Sequence, residues 1–268
     1  MQNASNDPNL RVTSRAKFLV IHRLNGSFAQ ALLLVTIATL QLDGAGPHGY
    51  ATFAPQVTDA TEPRGCSTPI SERKTETGCY TTAETILGVL PAGSLFWHLD
   101  VYPSRTAAEA ARGPKGTVTE SFGKFWLFTI AEEKWRPPGG EQVAIIGPLV
   151  VATDKAYTAR YMEALFPPGA QSPGSGPGHR HPGPEAWYVL SGAQCLETPN
   201  GQVMVSAGGA AMVPEGWPMA VSSVGSEVRR TVLLVLHPSS EPYTMAIDDP
   251  KSPGAPHSHW KPRGLCPK

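Results

Sequence analysis

Residues 178–192 read GHRHPGPEAWYVLSG. Along an extended chain successive side chains alternate between faces, so His179 and His181 project together while Arg180 projects the other way. Glu185 shares their parity, and Pro182-Gly183-Pro184 lets the chain bend so that its carboxylate converges on the two imidazoles. Two histidines and a carboxylate form a facial triad with open positions, an arrangement that suits Fe(II) and leaves room for water, substrate or dioxygen. The bland alternative is a pair of solvated histidines in a proline-rich loop. The tail pair His257 and His259, in GAPHSHWKP with no acid following, takes that bland reading.

The chain around this stretch alternates short apolar runs with turn clusters: AWYVLSG, QCLETPNGQVMV, GAAMVPEG, MAVSSV and VRRTVLLVLHP. Short β-branched and aromatic runs bounded by Gly and Pro are strand signals, and their regular spacing points to an antiparallel barrel. YTARYMEALF fits an amphipathic helix or a strand, and the turn spacing on both sides tilts it to strand. SPGSGPG ahead of the histidines lacks the Lys-Ser/Thr of a phosphate loop and reads as a connecting loop.

The run His179-x-His181-x(3)-Glu185-x(6)-Gly192 resembles the first signature of the cupin superfamily. GGAAMVPEGWPMAVSS, with Gly208, Pro214 and Gly216 in register, resembles the second. The short separation between them is that of compact, single-barrel cupins, and the resemblance covers about residues 145–240. It implies an all-β, cupin-type antiparallel barrel of the jelly-roll kind, one divalent transition metal and a small-molecule ligand. Where the second signature has histidine and asparagine, this chain has Met219 and Ser223, and an insertion separates Gly169 from His179.

The missing imidazole leaves three explanations. His179, His181 and Glu185 hold the metal alone, with Fe or Mn favoured and Zn or Ni also accommodated. Alternatively, Met219 adds a soft thioether and shifts preference to Cu. Or the centre is degenerate and the barrel is a binding cup without metal. An isolated barrel methionine is more often packing than ligand, since its flexible side chain fills irregular gaps. Trp187 shares the parity of Glu185 and is expected to face the barrel interior, with Tyr188 facing out. Together with Trp217 and Ser223 it is the candidate lining of a substrate pocket, although Trp187 could equally be simple core filling. No general base can be identified.

Upstream, CYTTAETILGVLP, SLFWHLDVYP, TVTESFGKFWLFTIA and QVAIIGPLVV read as strands. SRTAAEAARG reads as a short helix capped by Ser104 or Thr106, with Gly113 as its stop. His98, between Trp97 and Leu99, reads as a packed core histidine. The expected organisation is a basic, signal-peptide-like leader (1–50), a linker (51–61), a β-rich mixed α/β accessory region that could be a degenerate cupin (62–148), a cupin domain (149–240) and a Pro-rich tail (241–268).

The charges balance, with 22 Lys plus Arg against 22 Asp plus Glu, which offers no basic footprint for nucleic acid. Twenty-seven glycines and 27 prolines favour short strands and turns. Arg11, Arg15, Lys17 and Arg23 precede the apolar run FAQALLLVTIATL, the order of a secretory signal, and the run falls short of a bilayer span. The expected location is periplasmic or secreted, with no stable membrane span once the signal is removed. Of the four cysteines, Cys66 and Cys79 are close enough for a local bridge, and Cys195 reads as a small buried hydrophobe on a strand. A homodimer is compatible with all of this. Two functions fit: oxygenation or isomerisation of a small molecule at the metal, or ligand binding without turnover.

Overall fold

The computed structural model describes residues 66–171, 178–248 and 257–267. The leader, the linker and most of the insertion before His179 lie outside the described residues. In chain order the strands are β1 (Gly78–Val89), β2 (Leu95–Tyr102), β3 (Gly116–Ser121), β4 (Lys124–Glu132), β5 (Glu141–Leu149) and β6 (Ala156–Phe166). They continue with β7 (Glu185–Ser191), β8 (Ala193–Thr198), β9 (Gly201–Ser206), β10 (Ala210–Val213), β11 (Ala220–Val224) and β12 (Arg229–Pro238). One α-helix, α1 (Arg105–Ala111), lies between β2 and β3. The fold is all-β and its ladders are antiparallel. No helix among the described residues is long and apolar enough to cross a membrane.

Three sheets form. The central one has the order β1-β6-β12-β7-β10, the second β11-β8-β9, and the third β3-β4-β2-β5. The inner strands β6, β12 and β7 of the central sheet are buried on both faces, and the sequence shows why. In β12 Val232, Leu234 and Leu236 pack with Trp97, Trp126 and Phe128 of the third sheet. Their neighbours Leu233 and Val235 pack with Leu196 and Val221 of the second sheet. A strand covered on both sides needs apolar residues at every position, which accounts for the unbroken run VLLVL. β6 follows the same rule, with Tyr157, Ala159 and Tyr161 on one face and Met162, Ala164 and Phe166 on the other. YTARYMEALF is therefore strand.

β1 comes from the 62–148 region and β6 from 149–240, yet they pair along their whole length. Residues of both regions build one hydrophobic core, and the described residues fall in one compact unit. Tyr188 points out of the barrel as expected, but it packs against that core and is only partly exposed.

Two disulfides close the chain, Cys66–Cys79 and Cys195–Cys266. The reading of Cys195 as a plain buried hydrophobe is thereby corrected: it is fully buried, but bonded to a tail cysteine that folds against its sheet. Both bonds are compatible with an oxidising compartment. In α1 the cap is Ser104, whose Oγ accepts from Ala107 N at 3.1 Å; Thr106 lies inside the helix.

The outer face of the third sheet holds two buried ionisable groups. His98 Nε2 donates to Glu132 O at 2.9 Å. Burial is the main reason its pKa is lowered, which keeps the ring neutral. Burial likewise raises the Asp100 carboxyl from 3.8 to about 6, partly offset by the charge of Arg136.

Because the folded pKa of Asp100 lies above the ordinary value, the native state holds a proton that the unfolded chain has already lost. Stability from this group is present below about pH 4 and is lost as pH rises through about 6. Asp100→Asn should flatten that part of the stability–pH profile and stabilise the protein at pH 8 by up to about 3 kcal/mol, measured by urea unfolding. The shared core predicts a single unfolding transition, with far-UV dichroism and tryptophan fluorescence coinciding. Two separated transitions would mean that residues 62–148 and 149–240 fold independently.

Candidate metal centre

Residues 178–184 run outside the regular strands, so their backbone groups must find partners one by one. His179 exchanges two backbone hydrogen bonds with Met219, N to O at 3.1 Å and O from N at 2.8 Å. Arg180 exchanges two with Met245, at 3.1 and 2.9 Å. The carbonyl of His181 accepts from Gly216 N at 2.8 Å and that of Pro184 from Leu236 N at 3.0 Å. The segment is thus held by three different parts of the chain. Gly183 is required for steric reasons: a Cβ there would lie 1.9 Å from the Leu236 carbonyl oxygen.

This bracing brings His179, His181 and Glu185 together, with one ligand atom from each lying within 4.8 Å of the others. Arg180 points the opposite way, as the strand period requires, and its Nε donates to Ala246 O at 3.2 Å. His181 and Glu185 are buried and His179 is partly buried.

His181 Nδ1 lies 2.5 Å from the carbonyl oxygen of Tyr243. A carbonyl only accepts, so Nδ1 carries the proton and Nε2 faces Glu185 Oε2 at 3.0 Å. Burial alone would lower the His181 pKa, but the Glu185 carboxylate and the Tyr243 carbonyl outweigh it and the net shift is upward. His179 goes the other way, down to about 3, through burial and then the neighbouring charge of His181. The two rings stand edge to face at 4.8 Å between centroids.

Three atoms at this spot are buried without a hydrogen-bond partner: His179 Nδ1, His181 Nε2 and Glu185 Oε2. Despite the 3.0 Å contact, the last two are not aligned for a hydrogen bond. Orphaned polar atoms are rare in protein interiors, and a cluster of two imidazole nitrogens and a carboxylate oxygen is the donor set of a first-row divalent metal. The residues fit such an ion.

Met219 is buried. As the hydrogen-bonded antiparallel partner of His179, it projects its side chain to the same face. Trp187 is buried on the inner face among Leu196, Val221 and Leu233. Ser223, opposite Gln194 in β11–β8, is fully buried with its Oγ unpartnered. Trp217 is only partly buried and sits edge-on to His257 at 5.2 Å. Sequence reasoning missed Tyr243, which contributes a main-chain carbonyl that no motif records. It also missed Arg229, buried inside the barrel with its guanidinium 5.1 Å from the centroid of the Phe166 ring. Burial lowers the Arg229 pKa to about 10, and the charge of Glu185 opposes the shift.

Gly183→Ala tests the bracing. Overpacking of this kind costs about 1–3 kcal/mol, and the displaced loop should carry His181 and Glu185 apart. A lowered melting temperature with weakened metal binding is expected; a variant indistinguishable from wild type would show that the turn is not under this constraint.

No protein-family model matches the chain, and no curated protein matches it. Among solved structures it is similar to a cupin superfamily protein from Desulfitobacterium hafniense DCB-2, at 13% identity over 33% of this chain and 73% of that one, with a TM-score of 0.27. It is also similar to an uncharacterized conserved protein with a double-stranded beta-helix domain from Klebsiella pneumoniae subsp. pneumoniae MGH 78578, at 25% identity over 41% and 84%, with a TM-score of 0.28. A DMSP lyase from Ruegeria pomeroyi DSS-3 matches at 18% identity over 32% of this chain, with a TM-score of 0.28; the match spans 42% of the lyase. Of these three, one is described as a cupin superfamily protein and one as carrying a double-stranded beta-helix domain.

Proposed function

We propose that this is an exported, metal-binding protein that acts on a small molecule by oxygenation or isomerisation. The observation that carries the reading is the cluster of three partnerless ligand atoms on His179, His181 and Glu185. These residues would hold one divalent transition metal, with Fe or Mn preferred and Zn, Ni or Cu accommodated. Such an ion supplies Lewis acidity to a substrate oxygen at an open position. The chain's own part is to hold His181 in the Nδ1–H tautomer through Tyr243, to keep His179 neutral by burial, and to surround the centre with apolar packing from Met219 and Trp187. Trp187, Trp217 and Ser223 are proposed as pocket residues. The basic-then-apolar leader and the two disulfides support export.

Binding without turnover is the second reading, and one observation favours it. Arg160, the cation over Tyr243, is already engaged: it pairs with Glu84 at 2.5 Å and lies over the Tyr243 ring at 4.2 Å. It is therefore not free to serve a substrate beside the triad.

Metal content by plasma mass spectrometry, on protein purified without chelators or a His-tag, is the test. Near-stoichiometric metal is expected, and His181→Ala should lower affinity by more than the ~10–100-fold that loss of an outer partner costs. Met219→Ala should leave affinity unchanged if the triad acts alone, and Met219→His should tighten it. A wild-type protein that stays metal-free after anaerobic reloading would overturn the metal reading. Oxygen uptake or product formation in a substrate screen then separates turnover from binding.

A further inference from the structure

His237, next to last in β12, lies one same-face step beyond the strand partner of a candidate ligand. Glu185 is paired with Val235, and side chains two residues apart on a strand share a face. Leu233 and Val235 pack in the barrel core, so the His237 ring lies on the barrel side as well. The loop between His181 and Glu185 runs against it. A Cβ on Gly183 would come within 3.1 Å of the His237 Cα, and Leu236 N donates to Pro184 O at 3.0 Å.

One short stretch of main chain fixes two imidazoles. Tyr243 O faces His181 Nδ1, while Glu241 O lies 3.1 Å from His237 Nδ1, with Pro238 O at 2.9 Å. Carbonyl oxygens only accept, so His237 carries its proton on Nδ1 and keeps the lone pair on Nε2. Glu241 and Tyr243 are two residues apart, which holds their α-carbons within about 7 Å of each other. His237 is 7% exposed, and its Nε2 is buried without a partner. Burial is the main cause of its lowered pKa, and the Arg160 charge adds to it; the Pro238 and Glu241 carbonyls and the Glu84 charge oppose. Arg160 and Glu84 are paired with each other. Among the described residues the ligand atoms that gather are those of His179, His181 and Glu185, so His237 stands outside the ligand set.

A buried imidazole with a fixed tautomer, an unused lone pair and a place beside the ligands is built as a proton acceptor. We propose that His237 Nε2 is the general base of this centre, and that the substrate is a small α-hydroxy carbonyl compound isomerised by proton transfer between adjacent carbons. The inference rests on the metal reading above and selects isomerisation within it. Three protein ligands leave neighbouring open positions, which suit oxygens on adjacent carbons. Nε2 takes the proton from the carbinol carbon, the C–H pair becomes the second bond of an enediolate, and the carbonyl pair passes to its oxygen. Once the remaining hydroxyl proton has moved to that oxygen, the imidazolium returns its proton to the former carbonyl carbon. No oxidant or reductant enters. The sequence does not mark this residue, because His237 closes an otherwise apolar strand, VLLVLHP.

The test uses the full chain loaded with Mn(II), with glycolaldehyde and dihydroxyacetone as probes in deuterium oxide, and follows the loss of their C–H signals by proton NMR. His237→Asn keeps an amide donor for the carbonyls but has no basic nitrogen; His237→Gln is the second variant. Mn(II) affinity, melting temperature and the nitrogen-15 spectrum of the metal-free protein are read alongside. Wild type should exchange a probe proton, and the variants should exchange it ~100–10,000-fold more slowly, the usual contribution of a general base. Their Mn(II) affinity and melting temperature should match wild type, and the nitrogen-15 spectrum of wild type should place the His237 proton on Nδ1. Variants that exchange as fast as wild type, a wild type that holds Mn(II) but exchanges neither probe, or a proton found on Nε2 would each overturn the proposal. Loss of Mn(II) binding or of folding in both variants would overturn it too, by marking His237 as structural. A wild type that binds no Mn(II) sinks the metal reading itself, and this step with it.

Discussion

The structure depends on a sheet whose central strands are covered on both faces. Along β6, β12 and β7 the apolar side chains alternate between two cores, so a register slip of one residue would exchange the two sets wholesale. Ordinary antiparallel sheets are pinned by one buried face; these strands are pinned by two, with Trp97, Trp126 and Phe128 on one side and Phe166, Trp187, Leu196 and Val221 on the other. Exchanging them would leave large rings with no space and cavities with no filling. That double constraint fixes the parity of Glu185 at the start of β7, and through it the position of the carboxylate facing the two histidines.

The candidate centre is costly for such an interior. Two imidazoles and a carboxylate are gathered where water is scarce, and the electrostatic response is split: burial drives the His179 pKa down, whereas the Glu185 carboxylate and the Tyr243 carbonyl raise that of His181 against its burial. The alignment remains imperfect, with Nε2 and Oε2 in contact but not hydrogen-bonded. An arrangement optimised only for folding would have closed that bond or replaced the pair with apolar side chains.

Much of this was legible in the sequence, for reasons that can be named. Strand periodicity alone puts His179, His181 and Glu185 on one side, and the caps and turns announce α1 and the strand ends. What could not be read is whatever depends on partners without a residue signature. A main-chain carbonyl looks the same at every position, so nothing marked Tyr243. Four cysteines permit three pairings, and Cys195 on an apolar strand looks like any buried thiol until Cys266 is folded onto it. Periodicity also gives the side on which Tyr188 lies but not what covers that side; only assembly of the third sheet does.

Both disulfides act on backbone that the ladders leave unsupported. Cys79 opens β1, and its partner Cys66 packs beside Tyr243 against the barrel core. Cys266 fastens the stretch 257–267 to β8, and Trp260 of that stretch lies against Gly178. The regular strands, cross-paired and buried, gain little rigidity from covalent closure; irregular segments gain most, because their ordering is not repaid by a hydrogen-bonded ladder. Placing the cross-links there concentrates stiffness around the atoms whose spacing decides whether an ion is held. The mean geometry of the centre is therefore set by the sheet, and its precision by the covalent and charge-assisted anchoring of the loops around it.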